Sequence, residues 1–328
     1  MNSARLDSRH FPVAVTAALL VSLFIIGGLQ FEGFASTRVV ANLFTDNSFL
    51  AITAIGMTFV ILSGGIDLSV GAVIALSSVL CAVLIERLSW HPLQAIPAVI
   101  ALGTLLGAGM GALIQLYRLQ PFIVTLAGMF LARGLATIVS EQSIPIEHGL
   151  YDAVNDFGFM LPGGGWFGSA AMLLIAFFAA AFWFAHFTRP GGYIYALGGN
   201  RESAMLMGVP VAGTTIGVYA LSGALAATSG VVYSFYTSSG YALAGVGLEL
   251  DAIAAVVIGG ALLSGGQGYV FGTLLGVFVM GLLQTWVSFQ GSLNSWWTRI
   301  VIGVLVLAFI GLQRLLAVRL ERSDRRRP

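Results

Sequence analysis

Ten apolar stretches, each near the length of a bilayer-crossing helix, divide the chain. They run over roughly 13–30, 42–62, 70–86, 93–116, 121–140, 168–187, 214–236, 249–263, 268–288 and 293–316. A hydrocarbon core about 30 Å thick takes about 20 apolar helical residues. Inside it the backbone must satisfy its own hydrogen bonds, so only helices or closed barrels cross. The short alternating segments of a membrane barrel are absent. The pattern predicts an all-α polytopic membrane protein with about ten transmembrane helices, forming one transmembrane domain over 1–328. Eight spans are the alternative, because the stretches around 63–71 and 249–268 are short and broken by glycine.

Charge leads to the same class. Only 9% of the 328 residues are charged and 58% are hydrophobic, against about 25% charged in a soluble protein. A soluble enzyme, a disordered chain and a nucleic-acid binder are excluded. The single cysteine, Cys81, lies in an apolar run and reads as a small packing residue. Arg5 and Arg9 precede the first stretch, and Gly33-Phe34-Ala35 loosely mimics a signal cleavage site. That stretch is long for a signal core and nine more follow, so it is read as an uncleaved helix.

There is no lysine, so the 15 arginines alone report orientation. With the N-terminus inside and spans alternating, Arg5, Arg9, Arg118, Arg189, Arg201 and the six arginines of 314–327 fall on the cytoplasmic side. Only Arg38 and Arg87 fall outside, and the loop 141–167 has four acids and no arginine. Positive residues favour the cytoplasmic side. An even number of spans is expected, with both termini cytoplasmic. The basic tail, 313–328, is expected to meet anionic lipid.

Two glycine-broken stretches resemble each other. Thr58 to Gly71 contains Ser63-Gly64-Gly65-Ile66-Asp67-Leu68-Ser69, and Ala255 to Gly266 contains Gly259-Gly260 and Ser264-Gly265-Gly266. An inverted repeat with helices broken near the midplane is one reading. A chance likeness of glycine-rich stretches is the other. In the first stretch Asp67 is placed to cap the helix that follows, or to line a pathway with Gly64, Gly65, Ser69 and Gly71. Gly259 and Gly260 are the matching break.

The segment 188–212 carries a second signal. Asn200 suits an N-cap, 201–207 favours helix, Gly208 suits the position after a helix end, and Pro210 stops the chain. A two-turn helix held between spans is predicted.

Taken together, Gly64 to Gly71 and the run Gly198-Gly199-Asn200-Arg201-Glu202-Ser203-Ala204 to Gly208-Val209 resemble the permease subunits of ribose-type monosaccharide ABC importers. The blocks Gln120 to Met129 and Asp251 to Gly260 extend the resemblance over nearly the whole chain. Within that branch the chain looks most similar to galactofuranose permeases. The family usually has Asn-x-x-Ala-Ala in the second motif. Here Ser203 replaces the first alanine, and Met207 stands where a small or polar residue is common.

The resemblance implies a type II ABC importer permease of the bacterial inner membrane, with inverted repeats. It implies that Asn200, Arg201, Glu202, Ser203, Ala204 and Gly208 belong to a coupling helix fitting a cytoplasmic ATPase subunit. The implied partners are two such ATPases, an extracytoplasmic sugar-binding protein, a second permease subunit (a copy or a paralogue) and membrane lipid. The chain is not itself the ATPase, since a phosphate loop needs a lysine it lacks.

Other residues read as structural. Arg133 lies inside a span and is expected to pair within the bundle. Glu249 and Asp251 open a span and suit its start. Trp286, Trp296 and Trp297 lie near span ends, as aromatic belts do. His10, His91, His148 and His186 lack ligand spacing, so no metal or cofactor is expected. A permease for nucleosides, autoinducers or branched-chain amino acids is the nearest alternative. An ion-coupled carrier or channel would require more ionisable residues within the spans.

Overall fold

The computed structural model describes residues 11–292 and 295–324, with side-chain surroundings for 11–292 and 296–311. Arg5, Arg9 and the charged side chains of the tail 313–328 lie outside these. The chain begins with α1 (Phe11–Gln30), α2 (Thr37–Asp46) and α3 (Ser48–Leu62). Next come α4 (Val70–Ala82), extended by a π-turn to Arg87, α5 (Pro92–Leu116) and α6 (Pro121–Val139). The following connection holds β1 (Ile144–Pro145), α7 (Gly149–Asp156), β2 (Gly158–Met160) and β3 (Trp166–Gly168). Beyond it lie α8 (Ser169–Phe187), α9 (Arg189–Gly199), α10 (Arg201–Leu206), α11 (Val211–Thr237) and β4 (Ser239–Gly240). The chain closes with α12 (Leu248–Ile258), α13 (Val270–Gln290) and α14 (Ser295–Asp324).

The all-α polytopic class holds, and among the described residues the span count falls nearer the alternative of eight than ten. Seven helices are long and apolar enough to cross: α1, α4 with its π-turn, α5, α6, α8, α11 and α13. The pair α2 and α3, bent by 55° at Asn47, makes an eighth if taken as one span. The stretch read as a span over 249–263 is α12, only 11 residues. At 1.5 Å per residue that is about 16 Å, half the hydrocarbon core. Its apolar side chains are there because other helices bury them, Ala254 to Ile258 among them. Hydropathy alone cannot tell a lipid-facing helix from a short one buried in protein. Among the described residues the apolar part of α14 is Trp296–Gly311.

The core is built around α3, where fourteen of 15 residues are buried. Helices α8, α11, α12 and α13 surround it, while α1 buries little more than Thr16 and Gly27. The most extensive pairing is α11 on α5. Gly103, Gly107 and Gly111 recur every fourth residue and turn one bare stripe of α5 toward Tyr219 and Gly223 of α11. A Cβ on Gly107 would strike the Tyr219 carbonyl. Such stripes let backbones pack closely in lipid, where burying apolar surface adds no drive for helix association. Buried hydroxyls add cross-links: Thr53 Oγ1 to Ser229 Oγ at 2.8 Å, and the Thr58 and Thr273 hydroxyls at 2.7 Å.

At the end of α11 far from α10, β1 pairs with β4 through Ile144 opposite Gly240, and β2 with β3 forms a hairpin leading into α8. His91 and His148, scattered in sequence, both act as N-caps. Their Nδ1 atoms accept from the Leu93 amide (3.2 Å) and the Leu150 amide (3.1 Å).

Candidate functional site

The short helix expected after Asn200 is present as α10. Asn200 has extended backbone and its Oδ1 accepts from the Ser203 amide at 2.8 Å, the N-cap geometry. Gly208 adopts φ +82°, and the amides of Gly208 and Val209 donate to the carbonyls of Met205 and Ala204, both at 3.0 Å. This pair of hydrogen bonds closes the helix in a Schellman motif. Ala204 is wholly buried, while Leu206 is 86% and Met207 72% exposed. Glu202 and Ser203 are also exposed. Arg201 donates from Nη2 to Gln115 Oε1 at 2.5 Å, tying α10 to the end of α5.

The protruding part is therefore the apolar tip Met205-Leu206-Met207, of which the sequence reading marked only Met207. Its signal was three large apolar residues in a row within a connector. The residues just before Asn200 also form a helix, α9. Thr188 caps it, its Oγ1 accepting from the Gly191 amide at 3.2 Å, and Pro190 sits in the first turn where a missing N–H costs nothing.

Three glycine pairs meet behind α10. Gly64-Gly65 ends α3, Gly198-Gly199 ends α9, and Gly265-Gly266 lies between α12 and α13. The Gly266 amide donates to the Leu62 carbonyl at 2.9 Å. A Cβ on Gly265 would stand 2.8 Å from the Gly64 Cα, and one on Gly198 would run into the Leu62 carbonyl. Three backbones thus cross at contact distance, which only residues without side chains permit. This junction holds the approach to α10 against the end of α3 and the segment between α12 and α13.

The breaks in α3 and α12 share one geometry. Gly64 (φ +84°) and Gly65 donate to Ile61 and Val60 at 2.9 and 3.0 Å. Gly260 (φ +92°) and Ala261 donate to Val257 and Val256 at 2.9 and 3.2 Å. Both are Schellman closures. Their surroundings differ, however: Gly259 packs on Gly272 of α13 and Gly260 faces Pro12, away from the three-way junction.

Asp67 does not cap α4 as expected. Ser69 holds the N-cap position, with no side-chain cap bond. The Asp67 carboxylate instead closes a local turn. Oδ1 accepts from the Ser69 amide (2.9 Å) and Ser69 Oγ (2.6 Å), and Oδ2 accepts from Ser222 Oγ of α11 (2.7 Å). Asp67 is wholly buried, and Gly65, Ser69 and Gly71 are buried with it. Among the broken-helix residues only Gly64 is exposed, with Gly260 half-buried. A Cβ on Gly71 would meet the Glu249 carboxylate and the Gly245 carbonyl.

Arg133 pairs within the bundle, though with carbonyls: its Nη1 donates to Ala242 and Ala244, both at 2.7 Å. It thereby braces the segment that leads into α12. Glu249 and Asp251 lie in the first turn of α12, whose N-cap is Gly247. Arg299 lies over the Trp296 ring at 5.3 Å.

Glycine-seated spans, buried helix breaks and a rigidly capped helix between spans define an α-helical membrane permease. Residues 39–310 match the family described as "Branched-chain amino acid transport system / permease component", and the chain belongs to that family. It is similar to the inner membrane ABC transporter permease protein YjfF of Escherichia coli K12, with 52% identity over 96% of both chains. It also resembles the fructose import permease FruG of Bifidobacterium longum, 37% identical over 94% of this chain and 92% of that one. The ribose import permease RbsC of Escherichia coli K12 is 38% identical over 88% of this chain and 89% of that one. No solved structure matches the chain significantly.

Proposed function

We propose that this chain is the membrane-spanning subunit of an ATP-driven importer for a monosaccharide. One observation carries the reading: α10 is closed at both ends, seated by Ala204, and presents Met205, Leu206 and Met207 outward. A rigid helix with an apolar tip suits insertion into a cleft on a partner. The junction behind it joins that tip to the end of α3 and to the segment between α12 and α13, so movement of the tip reaches the core. The partner is a pair of cytoplasmic ABC ATPases, with both termini of the chain on their side, as the arginine distribution favours.

A binding protein delivers sugar at the opposite face, and a second permease subunit completes the pathway in the bacterial inner membrane. The relatives named for ribose and fructose support a sugar, and galactofuranose is the narrower reading. The family description favours one rival cargo, a branched-chain amino acid. Ion coupling is disfavoured because Asp67 and Arg133, ionisable residues within the bundle, are held by serines and carbonyls.

The test is copurification with an ABC ATPase subunit, then uptake into vesicles with and without ATP. ATP-dependent sugar uptake supports the reading. Uptake that follows a proton or sodium gradient without ATP overturns it, and ATP-driven leucine uptake without sugar uptake moves the cargo to the rival class.

A further inference from the structure

At the end of the bundle remote from α10 lies a group of side chains that neither the coupling face nor the helix breaks use. Helix α11 starts beside α10 and its 27 residues carry it about 40 Å away. Near that far end Tyr236 donates from its hydroxyl to Asp46 Oδ1 at 3.1 Å. Asp46 ends α2 and is exposed where the chain bends into α3. Tyr236 is 47% exposed.

The aromatic rings around this pair are fixed. Phe49 stands edge-on to Tyr233, centroids 5.4 Å apart at 88°, and tilted to Tyr236 at 6.0 Å. Phe49 is held in turn by its carbonyl, which accepts from Ser229 Oγ at 2.5 Å and Thr53 Oγ1 at 2.8 Å. The result is a preset wall of aromatic surface beside an open carboxylate.

We propose that Asp46, Tyr236 and Tyr233 form a docking subsite for a neutral monosaccharide at the face opposite α10. The inference rests on the sugar-import reading above and adds the residues that meet the cargo. A carboxylate accepts hydrogen bonds from sugar hydroxyls, and charge-assisted bonds are the strong ones. The C–H face of a sugar ring carries slight positive charge and lies on the negative face of an aromatic ring. Among the described residues no arginine pairs with Asp46 to offset its charge. The site therefore suits a polyol and disfavours an anion, a sugar phosphate or the carboxylate of an amino acid. An exposed carboxylate facing lipid would be costly, which places this wall toward water.

Two measurements test it. The first is saturation-transfer NMR on the full chain in nanodiscs with D-ribose, D-fructose, D-allose and D-galactose, with L-leucine as control. The wild type should transfer saturation to ring C–H protons of at least one sugar and not to leucine. Tyr236→Ala and Asp46→Asn should lower apparent affinity about tenfold, and Tyr236→Phe, which keeps the ring, by about threefold. Asp46→Glu should restore most of the signal. The melting temperatures of Asp46→Asn and Tyr236→Phe should match the wild type, which a purely structural role for the pair would not allow. The second is ATP-driven uptake of the same sugars by the assembled transporter. Uptake by the wild type with equal NMR signals in wild type and variants, or none in the wild type, overturns the subsite alone. ATP-driven uptake of L-leucine with none of the four sugars or of galactofuranose overturns the sugar reading, and the subsite with it.

Discussion

Ser222 donates from its hydroxyl to the buried Asp67 Oδ2 at 2.7 Å, across 155 residues of chain. The bond joins the break after α3 to the middle of α11, the helix that begins beside α10. A carboxylate wholly inside the bundle is tolerable here because serine groups and one amide occupy both of its oxygens.

Ser222→Ala should leave one carboxylate oxygen buried without a donor. The expected loss is about 2 kcal/mol, the range for a bond to a charged group. Thermal unfolding of the purified chain in detergent measures it. An unchanged midpoint would mean that water enters the break and replaces the serine.

The junction behind α10 gives a paired comparison. Gly198→Ala drives a methyl into the Leu62 carbonyl, whereas a Cβ on the adjacent Gly199 meets nothing within 4 Å. Gly198→Ala should lower the melting temperature and reduce uptake in the assembled transporter. Gly199→Ala should be neutral or stabilise by about 0.5 kcal/mol through reduced chain entropy. Equal effects at the two positions would show that the three backbones do not need their close approach.

The tip of α10 is separable from the fold. Leu206 is 86% exposed, so Leu206→Asp should leave the melting temperature within about 1 °C, since surface changes usually stay within about 0.5 kcal/mol. ATP-driven uptake and ATPase copurification should fall by at least about tenfold, as for loss of a central apolar anchor. Asn200→Ala removes the cap and should cost about 1 kcal/mol, with a milder loss of uptake. Gly208→Asp combined with Glu202→Arg should also uncouple transport while insertion continues. Full uptake in the Leu206 variant would remove α10 from the coupling role.

The stripe on α5 offers the same contrast within the membrane. Gly107→Ala sets a methyl against the Tyr219 carbonyl, while a Cβ on Gly109 meets nothing within 4 Å. Gly107→Ala should cost about 1–3 kcal/mol, the usual range for overpacking, and Gly109→Ala should not. Differential scanning fluorimetry of the two variants reads the difference.

Much was legible because it depends on neighbours in sequence. The all-α membrane class follows from the length of the apolar runs, since a bilayer leaves few ways to satisfy backbone groups. α10 was legible because Asn200 and Gly208 act within a few residues of themselves. The count of ten spans was not, because α12 is apolar for burial in protein rather than in lipid. Of the two readings of Asp67, the capping of α4 did not hold. Its nearest candidate task was capping α4, and Ser222, 155 residues away, could not be seen from the motif.

The amino-acid order alone settled the solvent of this protein, its helical class and the two places where helices must break. It did so because bilayer thickness, capping and glycine turns act over single segments. Only the tertiary structure decided that three glycine pairs cross behind α10, that Arg133 braces the Ala242 and Ala244 carbonyls, and that Asp46 meets Tyr236 at the far end. Those relationships join residues tens to hundreds of positions apart. They exist because close helix packing brings bare backbones and polar groups together, and no local pattern encodes which distant partner arrives.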